Sequence, residues 1–170
     1  MELAEIGKNI LTNCMNVKPG ENVLIVTDDE KYAIGQALYQ AAKLLKAEAM
    51  LMTMTAREVS GQEPPAVVAA AMKASDVVIC PMKTSITHTR AKIEAAEAGA
   101  RIATMPGITE EMFAMGAMTA DYSRVMALTE QVTDLLTNAN TARIEKDGHV
   151  LTLDPVSYTH LRAHETKANL

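Results

Sequence analysis

An α/β fold, an open parallel sheet of about four strands with flanking helices, is what this sequence predicts, and two features predict it. Short apolar runs alternate with longer stretches of helical period, and the first run, Val23-Leu24-Ile25-Val26, is apolar at every position. A continuous run of this kind belongs to a strand buried on both faces, as a parallel sheet covered by helices requires.

The elements follow in order. Leu3, Ile6, Ile10, Leu11 and Cys14 recur at helical spacing and form one stripe of a helix, which ends before Val17-Lys18-Pro19-Gly20. Pro-Gly turns the chain into the strand at Val23. Thr27-Asp28-Asp29-Glu30 stops that strand and suits a helix N-terminus, where the dipole favours acids, and Ile34, Ala37, Leu38, Ala41 and Leu45 continue with helical period. The unit then recurs as a strand over 49–54, a helix from Pro64-Pro65 to Ala74, a strand over 77–80, a helix over 89–98 and a strand over 102–105. Gly99 closes the last of these helices, and Pro106-Gly107 closes the strand after it. Thr109-Glu110-Glu111 opens a short helix, and a longer amphipathic helix spans about residues 121–136. Right-handed crossovers and a strand order of 2-1-3-4 make this a Rossmann- or flavodoxin-like arrangement.

Beyond Asn138 the pattern changes. Residues 142–146 and 149–153 alternate around Asp147-Gly148, a hairpin signal. The expected organisation is an α/β amino-terminal domain over 1–138, the opening hairpin of a further, truncated domain over 139–154, and a non-native tail over 155–170. That tail shows no apolar periodicity and resembles translated adapter sequence. His160 and His164 within it are four apart and would share a helix face with Glu165 beside them, but no Glu directly follows His160 as a zincin-type site needs, and no third ligand is evident nearby.

Composition narrows the functional classes. The 170 residues carry 16 basic and 21 acidic side chains, a net charge of −5, without the basic surplus that nucleic acid or an anionic membrane demands. One Phe, four Tyr and no Trp leave no stacking platform for single strands. The core is therefore aliphatic, with 12 Met filling gaps. Cys14 and Cys80 are too few for a disulfide framework and read as buried thiols of a reducing compartment. With no signal-peptide pattern and no apolar run of about 18 residues, a soluble cytoplasmic protein is expected.

In an open parallel sheet ligands gather beyond the carboxyl ends of the strands where the strand order reverses, here between the first and third strands. Asp28 and the stretch from Pro81 to Arg90 meet there, so Asp28, Lys83, Ser85, Thr87, His88 and Arg90 are candidate substrate-binding residues for a carboxylate or phosphate. The same hydroxyls serve equally as loop and helix-cap residues, the Asp28-Asp29 pair as a cap, and the two cations as solvated surface charges. Dinucleotide binding is disfavoured, because the first strand-to-helix turn has no glycine and its acids would repel a pyrophosphate. No phosphate loop, nucleophile elbow or cysteine nucleophile with a placed base occurs. The long polar loop over 55–65 is either a cover for a partner surface or an exposed connector.

Several segments, taken in order, carry a family resemblance: Asn16-Val17-Lys18-Pro19-Gly20-Glu21, 23–29, Arg57-Glu58-Val59, Glu63-Pro64-Pro65, Ser85-Ile86-Thr87-His88-Thr89, Gly99-Ala100-Arg101, 105–113 and Ala120-Asp121-Tyr122. From about Asn9 to Leu153 the chain resembles the amino-terminal domain of the aminopeptidase T-like metalloaminopeptidases. That resemblance implies a full-length parent that removes amino-terminal residues from peptides with two divalent metal ions of zinc or cobalt type, and that can form a homo-oligomer. The ligands would lie in a carboxy-terminal domain, so no metal or catalytic residue is assigned here and the 170-residue chain is expected to be inactive alone. A non-catalytic small-anion-binding module remains an alternative. So does a fragment of a metal-dependent ring-opening dioxygenase acting on hydroxylated pyridines, because related folds occur in those enzymes.

Overall fold

The computed structural model describes residues 3–153, so the expectations for residues 155–170, including His160 and His164, lie outside the described residues. Clustering of contacts divides the chain between Ala120 and Asp121.

The first unit holds α1 (Leu3–Asn13), β1 (Asn22–Asp28), α2 (Tyr32–Leu44), β2 (Glu48–Met54), α3 (Ala66–Lys73), β3 (Val77–Met82), α4 (Arg90–Glu97), β4 (Arg101–Pro106), α5 (Glu110–Ala114) and a 3-10 turn over Gly116–Thr119. Its four strands are parallel in the order β2-β1-β3-β4, as the alternation of apolar runs predicts. From Val23 to Asp28 every β1 residue is buried. Val23 and Ile25 enter one apolar cluster with Ile6, Leu11, Leu38 and Phe113, while Leu24 and Val26 enter the other with Val68, Met72 and Ala95. Strand alternation thus sends successive residues of one run into two cores, one on each face of the sheet.

Two local features shape the carboxyl edge of this sheet. Gly35 in α2 lies so close to β1 that a Cβ there would stand 2.8 Å from Thr27 Cγ2, so only glycine lets the helix pack at this depth. Pro81 falls within β3, a central strand, where it can donate no ladder hydrogen bond. The β1 ladder accordingly runs only from Val77 to Ile79 on β3, whereas the β4 ladder continues to Met82. The sheet therefore parts between β1 and β3 at their carboxyl ends.

The second unit contains α6 (Tyr122–Asn138), β5 (Ala142–Lys146) and β6 (His149–Leu153). By contacts this long helix groups with the hairpin. Asp121 caps α6, its carboxylate accepting from the Arg124 N–H at 3.2 Å. The strands pair antiparallel with Lys146 opposite His149, and Asp147 and Gly148 both take positive φ, the geometry that an Asp-Gly two-residue turn supplies. No described helix is long and apolar enough to cross a membrane.

Candidate functional site

The parting between β1 and β3 places two loops side by side: residues 28–31 after β1 and 83–89 after β3. Asp28 joins them. Its side chain is fully buried, and its carboxylate accepts three backbone N–H groups, those of Glu30 (3.1 Å) and Lys31 (3.0 Å) on Oδ1 and that of Lys83 (2.6 Å) on Oδ2. The neighbouring Thr27 hydroxyl donates to the Pro81 carbonyl at 2.9 Å, so a side chain bridges the two strands where the ladder has stopped. The predicted role of Asp28 at the α2 N-terminus is displaced by one turn: α2 begins at Tyr32, and Lys31 at its cap position offers no side-chain cap.

The other predicted residues also fall on this edge. Lys83 Nζ pairs with Glu30 at 2.6 Å, and the adjacent carboxylate pushes the exposed ammonium above the ordinary lysine range. Ser85 donates to Thr87, and the Thr87 and Thr104 hydroxyls lie 2.9 Å apart, tying the loop to β4. His88 is exposed on the same loop. Arg90 begins α4 and pairs with Glu94 at 3.2 Å along the helix surface.

An anion at the α4 N-terminus would need free N–H groups, and these are already engaged. Thr89 caps the helix, accepting from the Lys92 N–H, and the Glu63 carboxylate accepts from the Arg90 N–H at 2.6 Å and the Ala91 N–H at 3.2 Å. Glu63 is the residue that sequence reasoning missed as a site component. It lies 27 residues from Arg90, and although Glu63-Pro64-Pro65 is one of the resembling segments, only the return of the 55–65 loop reveals its contact with α4. That loop is fastened further by the Gly61 N–H to the Ser85 carbonyl at 2.8 Å and by the Ser85 N–H to Ser60 at 3.2 Å.

On the α2 side of the same edge lies a cleft of about 200 Å³ between Glu30, Lys31, Ala33 and Ile34 on one wall and Ile108, Thr109 and Glu110 on the other. None of the six predicted residues lines it, although Lys83 reaches its margin through Glu30. Arg57 Nε and Thr84 Oγ1, on the two fastened loops, are buried without a hydrogen-bond partner among the described residues. Among the described residues no three His, Cys, Asp or Glu side chains converge as a metal site requires. Burial pushes the Cys80 thiol up to about 12, which makes it a packing residue.

Comparison with known proteins places the chain in a lineage. The family described as NicX: 2,5-dihydroxypyridine 5,6-dioxygenase matches residues 2–163. Among solved structures, the fold is similar to 2,5-dihydroxypyridine dioxygenase from Pseudomonas putida KT2440, with a TM-score of 0.62 and 17% identity over 89% of this chain and 46% of that one. It is also similar to AmpT from Thermus thermophilus, with a TM-score of 0.51 and 14% identity over 89% of this chain and 53% of that one. The chain thus spans about half the length of each. No curated protein matches it in sequence.

Proposed function

This chain belongs to the NicX family, and from that membership we propose that it forms the α/β portion of an oxygenase that opens the ring of a dihydroxylated pyridine. The match over residues 2–163 carries the reading. It takes in both the α/β unit and the hairpin, whereas the aminopeptidase resemblance rests on separate short segments. In this reading the chain's own residues build a fixed edge. Asp28 and Thr27 lock the loops after β1 and β3 to each other, and Glu63 fastens the 55–65 loop over α4. Because the chain spans about half of the similar dioxygenase, the ligands of the reacting centre are assigned to the remainder of a longer chain. A peptidase parent is the second reading, favoured by the likeness to AmpT at a TM-score of 0.51.

The test uses the longer chain to which this reading assigns the reacting centre, supplied with ferrous ion as a trial metal. Oxygen uptake with loss of the 2,5-dihydroxypyridine ring absorbance is the expected result. Release of leucine from a leucyl substrate without oxygen uptake would transfer the chain to the peptidase reading.

A further inference from the structure

The loops after β2 and β3 carry two polar atoms that the fold buries without a partner among the described residues, Arg57 Nε and Thr84 Oγ1. Buried polar groups in native structures are nearly always paired, so two on adjoining loops point to an acceptor that the loops themselves do not supply. We propose that Arg57 and Thr84 hold the carboxylate of a small organic acid.

Backbone hydrogen bonds draw the two loops together. β1 lies between β2 and β3, and the Gly61 N–H donates to the Ser85 carbonyl at 2.8 Å while the Ser85 N–H donates to Ser60 at 3.2 Å, so the loops meet across the end of β1. Thr84 stands between Ser85 and Lys83, whose N–H is held by Asp28 at 2.6 Å. Arg57 follows Ala56, whose N–H is held by Asp29 at 2.9 Å, and its Nη2 donates to the Glu63 carbonyl of the same loop at 3.1 Å. Both side chains start from tethered backbone, so little ordering is lost when a ligand arrives.

Charge selects the ligand. Arg57 is half-buried, always protonated, and pairs with no carboxylate among the described residues. Lys83 and Arg90, the cations first expected to take an anion, are engaged by Glu30 and Glu94. The hydroxyls divide in the same way, since those of Ser85, Thr87 and Thr89 bond within the fold and that of Thr84 does not. A carboxylate offers one oxygen to the Nε–H and the other to the hydroxyl, and its single charge balances the guanidinium. Water would accept both hydrogen bonds but leave the cation unbalanced. A phosphate dianion would add a second negative charge to an edge that already carries Asp28, Asp29 and Glu30. The proposal does not depend on which reaction the longer chain performs.

The test is nuclear magnetic resonance on the nitrogen-labelled 170-residue chain, titrated with sodium acetate against sodium chloride at constant ionic strength and, separately, with inorganic phosphate. The Arg57 Nε–H and Thr84 amide resonances are expected to move together and saturate below about 100 mM acetate, with phosphate at least about tenfold weaker. Arg57→Gln is expected to weaken acetate binding at least about tenfold, and Thr84→Val about threefold to tenfold, with the dispersion of the spectrum unchanged. Resonances that do not respond to acetate, with the Arg57 Nε–H in contact with water alone, would overturn the proposal. So would acetate binding that survives Arg57→Gln at full strength, or phosphate bound as tightly as acetate. If Arg57→Gln fails to fold, Thr84→Val and the titration of the unaltered chain decide between the same outcomes.

Discussion

Replacing Asp28 with asparagine tests whether a single carboxylate holds the two switch-point loops together. The carboxylate takes N–H donors on both oxygens, from Glu30 and Lys31 on one and from Lys83 on the other. Asparagine keeps one oxygen, and whichever way its amide is turned the NH2 group faces a backbone donor. Hydrogen bonds to a charged group contribute about 1.5–3 kcal/mol, so loss of the short Lys83 bond together with the donor–donor contact costs about 2–3 kcal/mol. Asp28→Ala removes all three acceptances from a fully buried position and costs about 3–5 kcal/mol, which sets the order wild type, asparagine, alanine. Urea unfolding followed by far-ultraviolet circular dichroism measures both, and with a slope of roughly 2 kcal/mol per molar urea the asparagine midpoint falls by about 1–1.5 M. An Asp28→Asn chain within about 0.5 kcal/mol of the parent would refute the reasoning, because it would mean that the three N–H groups are satisfied without the charge.

Three further outcomes follow from the packing and the titration of single groups. Gly35→Ala drives a Cβ to within 2.8 Å of Thr27 and is expected to lower stability by about 1–3 kcal/mol despite alanine's better helix propensity, with partial rescue when Thr27→Ser removes the clashing methyl; no rescue would place the strain elsewhere. Glu63→Ala exposes the first turn of α4, so the Arg90 and Ala91 amides are expected to exchange faster by about tenfold while sheet amides such as Ile25 keep their protection; unchanged Arg90 and Ala91 rates would contradict the cap. Burial that raises Cys80 to about 12 leaves roughly one thiolate in ten thousand at pH 8, so alkylation of the native chain is expected to spare Cys80 until urea unfolds it. Since the folded pKa lies above the unfolded one, this thiol adds stability that is complete below about pH 8.5 and is lost as pH rises toward 12, and a stability that increases over that window would contradict the burial.

The fold was legible because its signals are local. Val23 to Val26 declares burial on both faces within four residues, and Asp147-Gly148 declares the hairpin turn, which the positive φ of both residues then requires. The site was legible only as a place. Strand order located the edge, but the partners there lie far apart in sequence: Asp28 with Lys83, Glu63 with Arg90, Thr27 with Pro81. None of these pairs has a spacing that a pattern could detect. The lineage was harder still, since the segments that resemble the aminopeptidases are largely turns and strand ends such as Lys18-Pro19-Gly20 and Met105-Pro106-Gly107, which any chain of this topology needs. They mark the scaffold, and the described residues hold no metal-ligand cluster by which a peptidase and a dioxygenase would be told apart.

Incorporation of heavy-isotope oxygen gas tests the central claim most directly. The longer chain to which the reading assigns the reacting centre is incubated with 2,5-dihydroxypyridine under labelled oxygen, and the ring-opened product is weighed by mass spectrometry. The account predicts a product that carries both atoms of the labelled gas. Label entering from water alone, or a ring left intact while peptides are trimmed, would contradict it.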